Sequence, residues 1–378
     1  MFKSRWPQYV IPIIIIVLIL LVGGWLCVNI TDYCVSTYTR FKGYGEVGDA
    51  IGGTVTPIVT FIALLVAAAA FIVQYIALIK QKEQMLQNYV DNRFYSMLDV
   101  YNRNCESLKA GDIVGKAAAQ ELSGEFYYTY CIVNDVYNRF FEHYVSSTEI
   151  DPVFISQINI LIKELNNDLD KKRTFLTKVA YGLFYEGIHY TYPYNDKTKV
   201  YFNLVELLKD KLKNYIFVKG QGHYDDVLKS DTIKISPHSY SFQYELFGGH
   251  NETLGCYYRQ LFQIVDYISK IDPKILSEEE KYNHIKILRA QLSEYEQFLL
   301  FYNSLSDYGE IWNQKQEFKK GRINYKMGYI ARYKLIKNIP SNIYWRGIIP
   351  IDYFKEEMSF YNELNSTFFE RPQLMQAD

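Results

Sequence analysis

Two uncharged apolar stretches near the N-terminus constrain this chain more than any other feature of its sequence. The first covers residues 9–28, YVIPIIIIVLILLVGGWLCV, and follows Lys3 and Arg5. A helix rises 1.5 Å per residue, so a stretch of this length matches the hydrocarbon core of a bilayer, about 30 Å thick. A secretory signal peptide shares the basic start, but no small-residue cleavage site follows this run. We therefore expect a membrane span at about residues 9–28.

The second stretch contains no charged residue between Asp49 and Lys80. Its most apolar part is residues 57–79, which is long enough for another span. Proline disturbs a helix from within, so we expect the helix either to begin close to Pro57 or to continue further out with a kink there. The two spans together predict a transmembrane hairpin over residues 1–80.

The charges that flank the spans predict the orientation of this hairpin. Lys3 and Arg5 precede the first span, and Lys80 and Lys82 follow the second. Residues 29–49, between the spans, carry two basic and three acidic residues. Because basic residues concentrate on the cytoplasmic side of membrane proteins, we expect both termini in the cytoplasm.

Small residues recur four positions apart in this N-terminal region, as Gly48 with Gly52 and Ala63 with Ala67. Such pairs let helix backbones approach closely in lipid. They predict helix packing, either within the hairpin or between copies of the chain. The expected partners are therefore the lipid bilayer, because of the two spans, and a possible homo-oligomer, because of the small-residue pairs.

Neither span contains a charge on which an ion or proton path could depend.

The rest of the chain has the composition of a folded helical protein. With 49% hydrophobic and 22% charged residues, the sequence excludes a disordered or fibrous chain. Helical spacing of Phe94, Leu98 and Tyr101 predicts a connector helix over residues 81–110. Residues 111–378 predict a cytoplasmic, predominantly helical domain with small irregular or β elements. Within it we expect helices over 116–143, 152–184 and 205–215, and a β-hairpin between 232 and 246.

The sequence offers little sign of catalysis. It contains no P-loop, dinucleotide-binding, nucleophile-elbow or zincin motif, and its five cysteines and six histidines are dispersed. We therefore expect no metal site and no cofactor, and the sequence favours a non-enzymatic protein. The formal net charge of −1 predicts no general attraction to nucleic acid.

Two segments near the C-terminus carry apolar residues at spacings of three and four. They cover 254–268 and 285–302, and we expect each to be one helix and the two to pack as an antiparallel pair. Arg289, Glu296 and Asn303 recur every seven residues and would line one flank of the second helix.

The first helix carries Arg259, Gln263 and Asp266 on its own flank. If the helices pack, Arg259 and Arg289 could meet Asp266 and Glu296 in a partly buried polar network. Such a network is either a set of salt bridges that fixes the register of the helices or a polar groove that binds a ligand or partner.

His250 precedes the first of these helices, in the sequence FGGH. A histidine at this junction is most often a helix cap or a hydrogen-bonded structural group. The other interpretation places it with Arg259 and Glu296 as a candidate catalytic group.

The same C-terminal region resembles a known family. The runs FGGHNETLGCYYRQLFQIVDYI and KYNHIKILRAQLSEYEQFLLFYNSLSDYG are similar to the paired C-terminal motifs of the phage abortive infection (AbiC-like) membrane proteins. In this chain the first motif departs from the family pattern at Cys256, where a second histidine is usual. The matching residues are Gly249, His250, Leu254, Gly255, Tyr257, Tyr258 and Arg259 in the first motif, and Arg289, Gln291, Ser293, Tyr295, Glu296, Tyr302, Asn303, Tyr308 and Gly309 in the second.

This resemblance implies a bacterial inner-membrane protein that arrests or kills the cell when a phage infects it. Our leading hypothesis is that the helical domain senses a phage-derived trigger and acts through the hairpin. One alternative is a membrane-tethered nuclease that uses His250, Arg259 and Glu296. The other is a non-catalytic membrane anchor for a second defence component.

Overall fold

The computed structural model describes most of the chain. The described residues are 7–38, 44–141, 152–217, 247–320, 323–340, 347–364 and 366–371. They are mostly helical, as the sequence predicted. The chain divides into two compact units, Met1–Val90 and Asp91–Asp378, and the second unit is called the body below.

The first unit contains the long helix α1 (Pro7–Tyr38) and the part of α2 (Tyr44–Glu106) that ends at Val90. Helix α2 begins well before Pro57 and contains it, so the helix continues further out, whereas the kink expected with that arrangement stays a prediction. Among the described residues, the stretch Val55–Glu106 is long and apolar enough to cross a membrane by length and composition. The last residues of α2, from Asp91, belong to the body.

The body adds helices and two short antiparallel hairpins to the end of α2. Its strands are β1 (Lys109–Ala110), β2 (Ile113–Val114), β3 (Gln316–Lys320) and β4 (Ile323–Met327). Its longer helices are α3 (Lys116–Phe141), α4 (Pro152–Asn167), α5 (Leu169–Glu186), α6 (Lys199–Phe217), α7 (Asn251–Lys270), α8 (Glu278–Arg289) and α9 (Glu294–Leu305). The short helices α10 (Tyr329–Tyr333), α11 (Pro350–Tyr353) and α12 (Lys355–Glu363) complete the described part.

Helix α3 lies at the centre of the body, where it packs against α5, α6 and α9. Phe126, in the middle of α3, is only 2% exposed. Its ring contacts the rings of Tyr181 and Phe184 from α5 and of Phe298 and Tyr302 from α9. Aromatic rings therefore build much of the core, in keeping with a composition that is 17% aromatic.

Two predicted helices are interrupted in the structure, so both predictions were wrong in this respect. Residues 152–184 form α4 and α5, because Asp168 accepts a hydrogen bond from the backbone N–H of Lys171 and begins a new helix. Residues 285–302 are divided between α8 and α9. Ser293 and Glu296 form a capping box that begins α9.

Other expectations fared better. The predicted helix at 205–215 is present within the longer α6. Helix α7 buries the whole predicted apolar set, Leu254, Tyr258, Leu261, Val265 and Ile268. The β-hairpin expected between 232 and 246 lies outside the described residues.

Candidate functional site

Glu296 is a buried carboxylate that joins three helices of the body. It is 1% exposed, and its Oε1 accepts hydrogen bonds from the hydroxyl groups of Tyr257 on α7, at 2.9 Å, and Tyr101 on α2, at 3.2 Å. The thiol of Cys105, also on α2, donates to the same oxygen at 3.0 Å. The other oxygen, Oε2, accepts the backbone N–H of Ser293 at 2.7 Å. These four side chains, Tyr101, Cys105, Tyr257 and Glu296, are called the Glu296 cluster below.

The donors in this cluster keep their protons at neutral pH. Burial, together with the nearby Glu296, raises the pKa of the Cys105 thiol to about 12 and the pKa of Tyr101 well above its usual value. Burial and the neighbouring Tyr101 do the same to the pKa of Tyr257. Cys105 is therefore a hydrogen-bond donor here and not a nucleophile, because nucleophilic attack requires the thiolate.

The first sixteen residues of the body, at the end of α2, pack against α7 and α9. Residues 91–106 of α2, called the docked segment below, bury Phe94, Leu98, Tyr101 and Cys105 on one stripe. The amide of Gln260 on α7 donates to the backbone oxygen of Met97 at 3.2 Å. The docked segment is thus bonded to α7 and α9, which carry the two sequence motifs.

His250 pairs with a glutamate that sequence analysis did not identify. Its Nε2 lies 2.7 Å from Oε2 of Glu125 on α3, and the Glu125 side chain is fully buried. The Oε1 of Glu125 has no hydrogen-bond partner among the described residues. His250 occupies the N-cap position of α7, but its side chain makes no cap hydrogen bond. The imidazole therefore hydrogen-bonds to a buried carboxylate and does not cap the start of α7.

A tight elbow places His250 against the end of α5. Phe247 has a positive φ of 59°, which is uncommon for a residue with a side chain, and Gly249 has a φ of 86°. A Cβ atom on Gly249 would collide with the backbone of Glu186, so only glycine fits. The backbone N–H of His250 then donates to the carbonyl of Tyr185 at 2.8 Å. Backbone conformations of this kind concentrate at functional sites.

The remaining predicted site residues lie in separate groups. Arg289 donates to the backbone oxygens of Tyr333 and Lys334 at 3.0 and 3.1 Å. Asp266 accepts from Lys270 and from the Tyr329 hydroxyl.

Three further candidates complete the set. Arg259 is exposed and donates to the sulfur of Cys256. The amide of Asn303 donates to the hydroxyl of Tyr181 at 3.0 Å. Gln291 lies in the connection between α8 and α9.

The expected network of two arginines with two carboxylates is therefore not formed. Glu296 is bonded to hydroxyl and thiol groups instead of a guanidinium. The physical reason is the break before Ser293, which separates Arg289 from the helix of Glu296 and Asn303. The functional role of these residues stays a prediction.

A cleft of about 1120 Å³ lies elsewhere on the body. Its lining includes Arg173 and Lys178 of α5, together with Asp307, Glu310 and Tyr353. None of the predicted site residues is among the residues that line it. Within the described part of the chain, no group of three or more His, Cys, Asp or Glu side chains could hold a metal ion.

Sequence analysis identified Glu296, Tyr257 and His250 but missed their partners on α2 and α3. Glu125, Tyr101 and Cys105 are far from the motifs in sequence, and nothing in local spacing connects them. One signal was readable, because Ser293 and Glu296 have the spacing of a capping box.

The region that contains the two motifs is similar to a known family, whereas other comparisons with known proteins found no match. No curated protein and no solved structure matches the chain. A family model matches residues 249–343, which contain His250, Tyr257 and Glu296 and exclude their partners on α2 and α3. Residues 249–343 of this chain match the family described as "putative phage abortive infection protein".

Proposed function

We propose that this protein acts in abortive infection, as a bacterial inner-membrane protein whose body responds to a phage-derived trigger. The observation that carries this proposal is the family match over residues 249–343. The response would pass to an N-terminal transmembrane hairpin with spans at about 9–28 and 57–79 and with both termini in the cytoplasm. The cell is then arrested or killed before phage can multiply.

Exposure of large apolar side chains supports the membrane part of this proposal. In α2, Leu64 is 64% and Phe71 is 71% exposed, and in α1, Leu21 and Trp25 are each 67% exposed. Water disfavours such continuous apolar surfaces, whereas lipid accepts them.

Packing between α1 and α2 supports a hairpin. Gly23 of α1 lies so close to Ile62 of α2 that a Cβ atom there would collide with the isoleucine side chain. Gly48 and Gly52, by contrast, have no atom near the position of a Cβ, and Ala63 and Ala67 are exposed. These exposed small residues favour contacts between copies of the chain over contacts within it.

The Glu296 cluster supplies a physical route from the motifs to α2. Glu296 and Tyr257 belong to the matched region, and Tyr101 and Cys105 belong to the helix that carries the apolar stretch. A trigger that alters the packing of α7 or α9 would change the hydrogen bonds that hold the docked segment. This proposal replaces the four-residue network expected from sequence.

The experiment that tests the function is a phage challenge of cells that express the full chain or a variant lacking residues 1–80. Membrane potential and RNA integrity are recorded together during infection. We expect the full chain to protect the culture and to depolarise infected cells, and the shortened variant to do neither. Full protection without residues 1–80 would contradict action through the membrane.

One observation favours a second candidate, a membrane-tethered nuclease. A carboxylate hydrogen-bonded to a histidine is the arrangement that fixes a general base, and Glu125 holds His250 in this way. In the same infection experiment a nuclease would degrade RNA before the potential falls. His250→Ala would then abolish protection, whereas intact RNA in arrested cells would exclude this candidate.

A further inference from the structure

The cleft on the body has the dimensions of a binding site. Its volume of about 1120 Å³ exceeds the range of about 300–1,000 Å³ that is usual for small-molecule sites. Residues from three parts of the chain line it, which are α5, the end of α9 with the residues that follow it, and the segment 347–355. A space of this size can accept an extended peptide several residues long.

Contacts between these parts of the chain hold the cleft in shape. Lys178 of α5 forms an ion pair with Asp307, which follows α9, at 3.1 Å. The hydroxyl of Tyr302 on α9 donates a hydrogen bond to the backbone oxygen of Ile348 at 3.1 Å. The three lining segments are therefore joined to one another in the free protein, as is usual for a preformed binding site.

The side chains that line the cleft disfavour nucleic acid and lipid as ligands. Among the described lining residues, four are acidic and three are basic. Nucleic acid binding requires an excess of positive charge against the phosphates, and an acyl chain requires an apolar lining. The cleft also presents apolar surface, since Ile311 is 48% exposed and Tyr353 is 42% exposed. Charges of both signs beside apolar surface suit the mixed side chains of a peptide.

Arg173 differs from the other two basic side chains of the cleft. Lys178 and Lys355 form ion pairs with Asp307 and Asp352, at 3.1 and 2.9 Å. Arg173 is half-buried on α5 and forms no hydrogen bond or ion pair with any described residue. A guanidinium group presents its N–H donors in a planar fork that matches the two oxygens of a carboxylate. The position of Arg173 therefore indicates a carboxylate on the ligand.

We propose that this cleft is a peptide-binding site in which Arg173 receives a carboxylate of the peptide. The apolar side chains of the peptide pack on Ile311 and Tyr353. Asp170 and Glu310 also line the cleft and would repel a purely acidic ligand, so the peptide carries a basic residue as well. This inference concerns binding by the body and does not depend on a role in phage defence.

The test begins with a bead-bound library of random heptapeptides, which is screened against the purified full chain in detergent micelles. Peptides that also bind the variant Arg173→Glu are removed. We expect the remaining sequences to share an acidic residue and a basic residue. Their affinities are then measured with free synthetic peptides by fluorescence anisotropy. A screen that leaves no such peptide would overturn the proposal, as would binding of single-stranded RNA in place of peptide.

Lys171→Glu gives a matched control, because it makes the same change of charge on α5 at a residue that does not line the cleft. We expect Arg173→Gln to weaken binding of the selected peptides about tenfold, the value of one charge-assisted hydrogen bond, and Arg173→Glu to weaken it further. Lys171→Glu should bind within about twofold of the wild type. Equal losses in Arg173→Glu and Lys171→Glu would overturn the proposal.

Exchanging the charges tests the contact itself. A peptide whose acidic residue is replaced by lysine should lose binding to the wild-type chain and bind Arg173→Glu at least about tenfold more tightly than the selected peptide does. Recovery of this kind also shows that Arg173→Glu is folded. If the exchanged peptide binds neither chain while Arg173→Glu keeps the thermal midpoint of the wild type, Arg173 does not contact the carboxylate and the proposal is wrong.

Discussion

The apolar stretch of α2, residues 57–79, and the docked segment, residues 91–106, differ in how their large apolar side chains are exposed. In the apolar stretch, large side chains such as Leu64 and Phe71 are 64% and 71% exposed. In the docked segment, Phe94 and Leu98 are 0% and 7% exposed, while the adjacent Tyr95 is 52% exposed. The more apolar of the two regions is thus the one whose large side chains are exposed. High apolar content without an amphipathic stripe indicates lipid as the surrounding medium, and a narrow stripe indicates a protein partner.

The largest expected effect comes from placing charges in the apolar stretch of α2. Replacing Leu64 and Ala67 together by arginine should cost about 3 kcal/mol for each charge at the centre of a span, and should remove the protein from carbonate-washed membranes. Glu83→Arg, on the same helix beyond the apolar stretch, is the control and should leave the membrane fraction unchanged. Recovery of the wild-type chain in the soluble fraction without detergent would remove the basis of the comparison.

For the docked segment, the largest effect should come from Glu296→Ala, which removes the acceptor that this segment bonds to on α9. The change leaves the donors on Tyr101, Cys105 and Tyr257 buried without their acceptor, so we expect a loss of about 3 kcal/mol in the free energy of unfolding of the body. Glu294→Ala alters the same helical turn at a half-buried position and should cost about 0.5 kcal/mol. Denaturant titration of the full chain measures both, and equal losses would show that Glu296 is no more than a helix cap.

A smaller effect tests whether the hydroxyl groups of Tyr101 and Tyr257 stabilise the body cooperatively or independently. Tyr101→Phe and Tyr257→Phe should each cost about 1 kcal/mol, because each removes one hydroxyl bonded to Glu296. The two hydroxyls also lie 2.9 Å from each other, so the double variant should lose less or more than the sum by at least about 0.5 kcal/mol. Strict additivity would mean that the docked segment and α7 contact Glu296 independently. Tyr95→Phe, on the exposed side, should be neutral.

The smallest effect concerns Cys105. Its pKa rises from 9.0 to about 12 on folding, so between these values the folded protein keeps a proton that the unfolded chain has lost. The thermal midpoint should therefore fall as pH rises through this interval, and less steeply in Cys105→Ala. At pH 8, iodoacetamide should modify the exposed Cys256 and spare Cys105, as peptide mapping would show. Equal modification of the two would mean that the docked segment is released in the native state.

Much of the fold could be predicted because the signals are local. The apolar spacing of α7 predicts both its helix and its buried face, and the uncharged stretches predict long helices at the N-terminus. The divisions at Asp168 and Ser293 were missed because apolar spacing continues through them, and only the capping side chains mark the new helix. Apolar periodicity alone predicts one continuous helix through each of these positions. In the structure, the capping side chain begins a new helix there instead.

The candidate site was harder to predict, for a different reason. Glu125, Tyr101 and Tyr181 are distant in sequence from the motif residues that they contact. The sequence around a tyrosine or glutamate within a helix does not indicate which distant residue that side chain will contact. The seven-residue recurrence of Arg289, Glu296 and Asn303 was misleading, because one helix ends and another begins between the first two, so the three do not share one helix.

Glu296 uses its two oxygens for different tasks, since Oε2 closes the first turn of α9 and Oε1 receives the end of α2. The carboxylate of Glu296 thus caps the start of α9 and also accepts the hydrogen bonds that hold the end of α2. The start of α9 cannot shift by one residue without releasing α2, and α2 cannot depart without exposing the charge that begins α9. Residue exchanges tolerated here should accordingly be confined to side chains that can perform both duties at once.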